Sequence, residues 1–188
     1  MKRLALLRHA KSDWDDMAKR DFDRGLNDRG RRGAALMGRH IRKYCEANDV
    51  QFDLLLASPA ERVQRTLEAA ELAPVLAGDP QWSRALYLAS AETIVEVVKD
   101  EAGKADTVLV AGHNSGLQDL LLMLVDRKRE NAAFDEASIK FPTASFAVLD
   151  IAIDNWAQLG GEAAEIAHFK RPRDLDAELG PERYGSER

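Results

Sequence analysis

Three short apolar runs, Leu4–Leu7, Phe52–Ala57 and Val108–Ala111, are each followed by a segment whose apolar residues recur at helical spacing. Continuous apolar runs of this length suit strands buried on both faces, and parallel strands need crossover helices between them. The pattern confines the chain to an α/β fold, a three-layer α/β/α sandwich with a mostly parallel central sheet. The polar stretch from Lys11 to Arg32 reads as a long loop leading to a helix start near Asn27. That helix carries Ala34, Met37, Ile41, Tyr44 and Cys45 on one side as far as about Ala47. Further helices are predicted over 60–72, 91–101 and 117–125, with a break over the Pro74–Pro80 segment. After a charged loop, Ser145–Ile151 and Glu165–Phe169 show the two-residue alternation of half-exposed strands, placed at the edge or antiparallel. One domain over 1–170 and an exposed charged tail over 171–188, which contains Pro172 and Pro181, complete the plan.

Composition narrows the function. With 27 Lys and Arg against 32 Asp and Glu the net charge is −5, so no overall positive field is available for a nucleic acid or an anionic membrane. Cys45 is the single cysteine, which excludes an intrachain disulfide and a thiolate metal site and suits a reducing compartment. The apolar run after Met1-Lys2-Arg3 is too short for a signal peptide, and no stretch approaches the roughly 20 apolar residues of a membrane helix. A cytoplasmic location is expected.

Function is sought beyond the carboxyl ends of the strands, where open α/β sheets bind ligands. The first run ends in Arg8-His9-Ala10-Lys11-Ser12, the second in Ser58-Pro59 with Arg62 one turn on, and the third in Gly112-His113-Asn114-Ser115. If those strands are neighbours, two arginines and two histidines converge. Such a cluster repels itself unless an anion fills it, and guanidinium groups bind phosphate oxygens bidentately. A neutral imidazole attacks a phosphoryl group and the phosphohistidine so formed is open to water, which makes His9 the candidate nucleophile. Arg8, Arg62 and His113 neutralise the phosphoryl oxygens. Other phosphatase chemistries fail on inspection. The position six after Cys45 is Gln51 and not Arg, and Asp13-Trp14-Asp15 has no apolar run before it. A Walker loop and a His/carboxylate set at metal-ligand spacing are missing.

The Arg8-His9-Ala10, Ser58-Pro59 with Arg62, and Gly112-His113-Asn114 motifs together resemble the histidine phosphatase, or phosphoglycerate-mutase-like, superfamily. The Lys11-Ser12 continuation, the small size, Asp21-Phe22-Asp23-Arg24 with Leu26 and Arg29-Gly30 are similar to its SixA-type phosphohistidine phosphatases. The resemblance implies a phosphoglycerate-mutase-like fold, phosphorylation of His9, a phosphate pocket completed by Arg8, Arg62 and His113, and no metal or other cofactor. It implies a phosphohistidine-bearing protein as substrate, with a small phosphate ester as the alternative and a phospho-binding module without turnover as a third possibility. Many superfamily members place an acidic proton donor in the segment corresponding to 85–89, which here reads Ala-Leu-Tyr-Leu-Ala. The proton donor is therefore unassigned, with Asp21, Asp23 and Glu92 as possible substitutes.

Each of these residues also has an ordinary reading. His9 and His113 taken singly suit hydrogen-bonded structural histidines, and Ser58-Pro59 suits a capped helix start that aims Arg62. Lys11 and Ser12 either donate to phosphate or belong to the loop. Asn114 and Ser115 suit a cap for the next helix. Asp21, Asp23 and Arg24 suit a salt-bridged turn at the pocket rim, with substrate binding by Arg24 as the alternative. His40 and His168 read as structural or surface residues, and Trp14 as a loop anchor or a substrate-facing aromatic.

Overall fold

The computed structural model describes residues 1–15 and 18–180. Six strands form one sheet: β1 (Lys2–Arg8), β2 (Leu54–Ala57), β3 (Gln81–Trp82), β4 (Thr107–Gly112), β5 (Phe146–Ile151) and β6 (Ala164–Lys170). Their order is β3-β2-β4-β1-β5-β6, with the first four parallel, β5 antiparallel to β1, and β6 antiparallel to β5. The helices are α1 (Asp28–Asn48), α2 (Glu61–Ala70), α3 (Ala91–Glu101), α4 (Gly116–Leu124) and α5 (Ala132–Ile139).

Alternation along each strand divides the core in two, because successive side chains point to opposite faces. Leu4 and Leu6 of β1 join Val108 and Val110 of β4 against α3 and α4, whereas Ala5, Leu7, Leu109 and Ala111 face α1 and α2. The result is the three-layer sandwich that the apolar runs predict. Parallel pairing of β4 with both β1 and β2 brings the carboxyl ends of all three strands side by side.

α1 starts where the sequence places it, with the Asn27 side chain accepting from the Gly30 amide. Gly30 is obligatory: a Cβ there would lie 2.1 Å from the Lys11 carbonyl oxygen, so only glycine lets α1 begin against the loop that leaves β1. Gly116 plays the same part at α4, where a Cβ would meet the Ala89 carbonyl oxygen at 1.9 Å. That contact holds the 85–89 segment against the strand ends.

Four features differ from the sequence reading. α5 stands within the expected charged loop. It is capped by Asn131 and buries only Ala137, so it carries almost none of the apolar periodicity by which helices are found. The two-residue β3 is too short to leave a pattern. β5 is almost wholly buried rather than half-exposed, because it lies between β1 and β6 with helices over both faces; β6 keeps the expected alternation at the edge. Residues 171–180 are not an exposed tail but two 3-10 turns on α1. Arg32 pairs with Asp176 and Glu178, and Arg29 donates to the carbonyls of Leu179 and Gly180. The remainder of the predicted tail, 181–188, lies outside the described residues. Among the described residues no helix is long and apolar enough to cross a membrane.

Candidate active site

The ends of β1, β4 and β2 deliver His9, His113 and Ser58 to one place. The His9 and His113 rings lie 5.2 Å apart between centroids. His9 is fixed through its own backbone: its amide donates to the Gly112 carbonyl, and its carbonyl accepts from the Ala144 amide. Thr66 of α2 accepts from the next amide, Ala10. The His9 ring nitrogen Nδ1 is 2.8 Å from the Ala10 carbonyl oxygen. A carbonyl only accepts, so Nδ1 carries the hydrogen and the lone pair of the neutral ring sits on Nε2.

His113 Nε2 is 2.8 Å from the Ser58 hydroxyl, and both residues are buried. This contact, and not a cap, is the main role of Ser58. α2 begins later, at Glu61 after Ala60, and Ser58 Oγ is 3.4 Å from the Ala60 amide. Arg62, 4% exposed in the first turn of α2, donates to both the carbonyl and the carboxylate of Asp21, at 2.7 and 3.0 Å. The Asp21 carboxylate also accepts from the Tyr87 hydroxyl at 2.6 Å, and the edge of the Tyr87 ring meets His113 at 5.5 Å. Arg8 donates to the Phe141 carbonyl at 2.8 Å.

Burial and two neighbouring guanidinium groups dominate the electrostatics. Burial, helped by the positive charges of Arg62 and Arg8, pushes His9 from 6.5 down to about 4. Burial, with His9 and Arg62 nearby, pushes His113 to about 3. The Tyr87 hydroxyl and Arg62 hold the Asp21 carboxyl below its ordinary range. Both rings are therefore neutral at pH 7 and the carboxylate is ionised. Among the described residues, buried Arg8 Nε and His113 Nδ1 have no hydrogen-bond partner, an arrangement that is costly unless an acceptor arrives. An oxyanion supplies one.

A prediction follows for pH. In the unfolded chain the histidines take up protons near 6.5, whereas in the folded protein they do so only near 4 and 3, so the unfolded state binds more protons across that interval. Stability is therefore full above about pH 6.5 and falls as the pH drops towards 4, by on the order of 1–2 kcal/mol per histidine at pH 5. Urea midpoints at pH 7.5 and 5 check this, and equal midpoints contradict neutral buried rings.

Of the other predicted residues, Lys11 is exposed on the loop after β1, and Ser12 is buried in a bridge with Leu26. Arg24 is buried with its guanidinium 4.3 Å from the centre of the Trp14 ring, so Trp14 anchors the loop through Arg24. Asn114 donates to Gln118 and to the Phe141 carbonyl instead of capping α4. Glu92 caps no part of the site; it is exposed in the first turn of α3. Asp23 pairs with Arg20. His40 and His168 bond each other through Nε2 at 2.8 Å, between α1 and β6. Among the described residues no group of three or more His, Cys, Asp or Glu is placed to hold a metal ion. Sequence reasoning missed Tyr87, whose only signal is a polar aromatic in the segment where an acid was sought.

A sequence model of the Histidine phosphatase superfamily (branch 1) matches residues 4–77. The uncharacterized Mycobacterium leprae protein ML1117 is 33% identical over 173 residues, spanning 89% of this chain and all of that one. The chain belongs to the histidine phosphatase superfamily. Two similar solved structures place it in the SixA-type branch. One is the proposed phosphohistidine phosphatase SixA of Nakamurella multipartitia, 28% identical with a TM-score of 0.76, covering 91% of this chain and 96% of that one. The other is the proposed SixA of Agrobacterium tumefaciens, 28% identical with a TM-score of 0.67, covering 91% and 99%. Both share the mixed, mostly parallel sheet flanked by helices. The chain is thus a phosphatase of this superfamily, acting on a phosphorylated substrate.

Proposed function

We propose that the enzyme removes the phosphoryl group from phosphohistidine on a protein, through a covalent intermediate on His9. The lone pair of His9 Nε2 attacks phosphorus in line, forming a P–N bond as the bond to the substrate's imidazole breaks. Water then attacks the phosphorylated His9, releasing inorganic phosphate and returning the ring to neutrality. Arg8, Arg62 and His113 hold the phosphoryl oxygens in both steps, and the Ala10 carbonyl keeps the His9 tautomer that exposes Nε2.

The observation that carries this reading is the state of Asp21. Its carboxylate faces Arg62 and the Tyr87 hydroxyl and is held ionised, so it accepts hydrogen bonds and has no proton to give. An alkoxide leaving group needs a proton from the enzyme. A phosphohistidine ring brings its own on the second nitrogen and departs as neutral imidazole. Support also comes from the likeness to the two SixA structures, both of proposed phosphohistidine phosphatases.

The test is hydrolysis of a phosphohistidine protein beside p-nitrophenyl phosphate and small alkyl phosphates, with EDTA present. Preference for the phosphohistidine protein is expected, and a higher kcat/KM on an alkyl phosphate assigns the enzyme to small esters instead. Asp21 and Tyr87 act here as positioning residues. Tyr87→Phe removes one of the two partners that fix the Asp21 carboxylate, and we expect kcat to fall about 10- to 150-fold, the worth of one charge-assisted hydrogen bond. Unchanged kcat in stopped assays would detach Tyr87 from the site.

A further inference from the structure

Arg8 serves two places. Its charge bears on His9, and its side chain also lines a cavity of about 550 Å³ whose walls include neither histidine nor Arg62. The volume falls within the range of ligand sites, on the order of 300–1,000 Å³. Lys11, Lys140 and Arg173 share its wall with Arg8, and among the described residues no Asp or Glu does. Arg29 and Arg171 also line it, but they are engaged, Arg29 by carbonyls and Arg171 by Asp174 and Glu136. Among the described residues Lys11, Lys140 and Arg173 have no ion pair.

In a chain of net charge −5, cations gathered in a cavity where no described residue is a carboxylate form a local positive field, joined to the surroundings of His9 through Arg8. They come from three separate segments: the loop after β1, the end of α5 and the turn after β6. The two ammonium groups are point charges on flexible stems, unlike a rigid fork built round one ligand of fixed shape. That suits several carboxylates whose positions vary.

We propose that this cavity receives the carboxylate side chains flanking the phosphohistidine of the protein substrate, so that an acidic flank is part of what the enzyme recognises. The proposal rests on the phosphohistidine reading above. Recognition of this kind acts through KM and weakens with salt, leaving the chemical step untouched.

The test uses two phosphohistidine peptides that differ only in Glu or Gln at the flanking positions, with p-nitrophenyl phosphate as a third substrate. The full chain is compared with the double variant Lys140→Glu, Arg173→Glu and with the milder Lys140→Gln, Arg173→Gln. For wild type the Glu peptide is expected to have a KM about tenfold lower than the Gln peptide at low salt. The charge-reversed variant loses that preference, the neutralised variant loses part of it, and kcat and p-nitrophenyl phosphate turnover stay at wild-type values. Equal KM for both peptides in wild type, or a preference that survives both variants, overturns the cavity assignment while the phosphohistidine reading stands. Turnover of p-nitrophenyl phosphate with neither peptide hydrolysed overturns both.

Discussion

His9→Ala is expected to abolish turnover, lowering kcat by at least about 10⁴-fold, the scale seen when a covalent nucleophile is removed. The fold survives. His9 is anchored by its backbone amide and carbonyl, which alanine retains, and among the described residues the only hydrogen bond lost is the one from Nδ1 to the Ala10 carbonyl. The unfolding midpoint therefore shifts little, and at acidic pH the variant gains relative stability because one buried neutral ring is gone. Activity of the variant above a hundredth of wild type, with the fold intact, is incompatible with attack by His9.

Arg62→Ala is the second large effect. The guanidinium is held by two hydrogen bonds to Asp21, which orient it before substrate arrives. Such pre-orientation is what gives an electrostatic donor its value at developing charge, about 2–4 kcal/mol, or roughly 30- to 1,000-fold in kcat. Arg62→Lys does not restore it, because an ammonium cannot span Asp21 and a phosphoryl oxygen as a planar fork does. The variant also leaves Asp21 without its cation, so its carboxyl rises towards the ordinary value. A loss confined to thermal stability, with kcat retained, makes Arg62 a structural anchor of the Asp21 turn and nothing more.

The sequence carried the fold's frame and the four central side chains because both depend on local patterns. Continuous apolar runs mark buried parallel strands, and the polar residues that end such runs fall on one edge of the sheet. Arg8, His9, Arg62 and His113 were thus legible together. What was not legible depends on contacts distant in sequence. Ser58 reads as a cap from its neighbour Pro59, yet its hydroxyl is taken by His113, 55 positions away. Tyr87 reaches Asp21 across 66 positions, and nothing near either residue announces it. α5 was hidden for a different reason, since a helix that buries one residue has no periodic face. The turns over 172–179 look like a charged tail because their cohesion comes from ion pairs with α1, which composition cannot distinguish from solvated charge.

Covalent catalysis at His9 is tested most directly by chemical quenching during turnover of a phosphohistidine protein, followed by peptide mapping of the enzyme. The expected result is an acid-labile, alkali-stable phosphoryl group on the peptide containing His9, formed and lost at rates compatible with kcat and missing from His9→Ala. Full turnover with no phosphoryl group on His9 at any quench time, or with the label on His113, contradicts it.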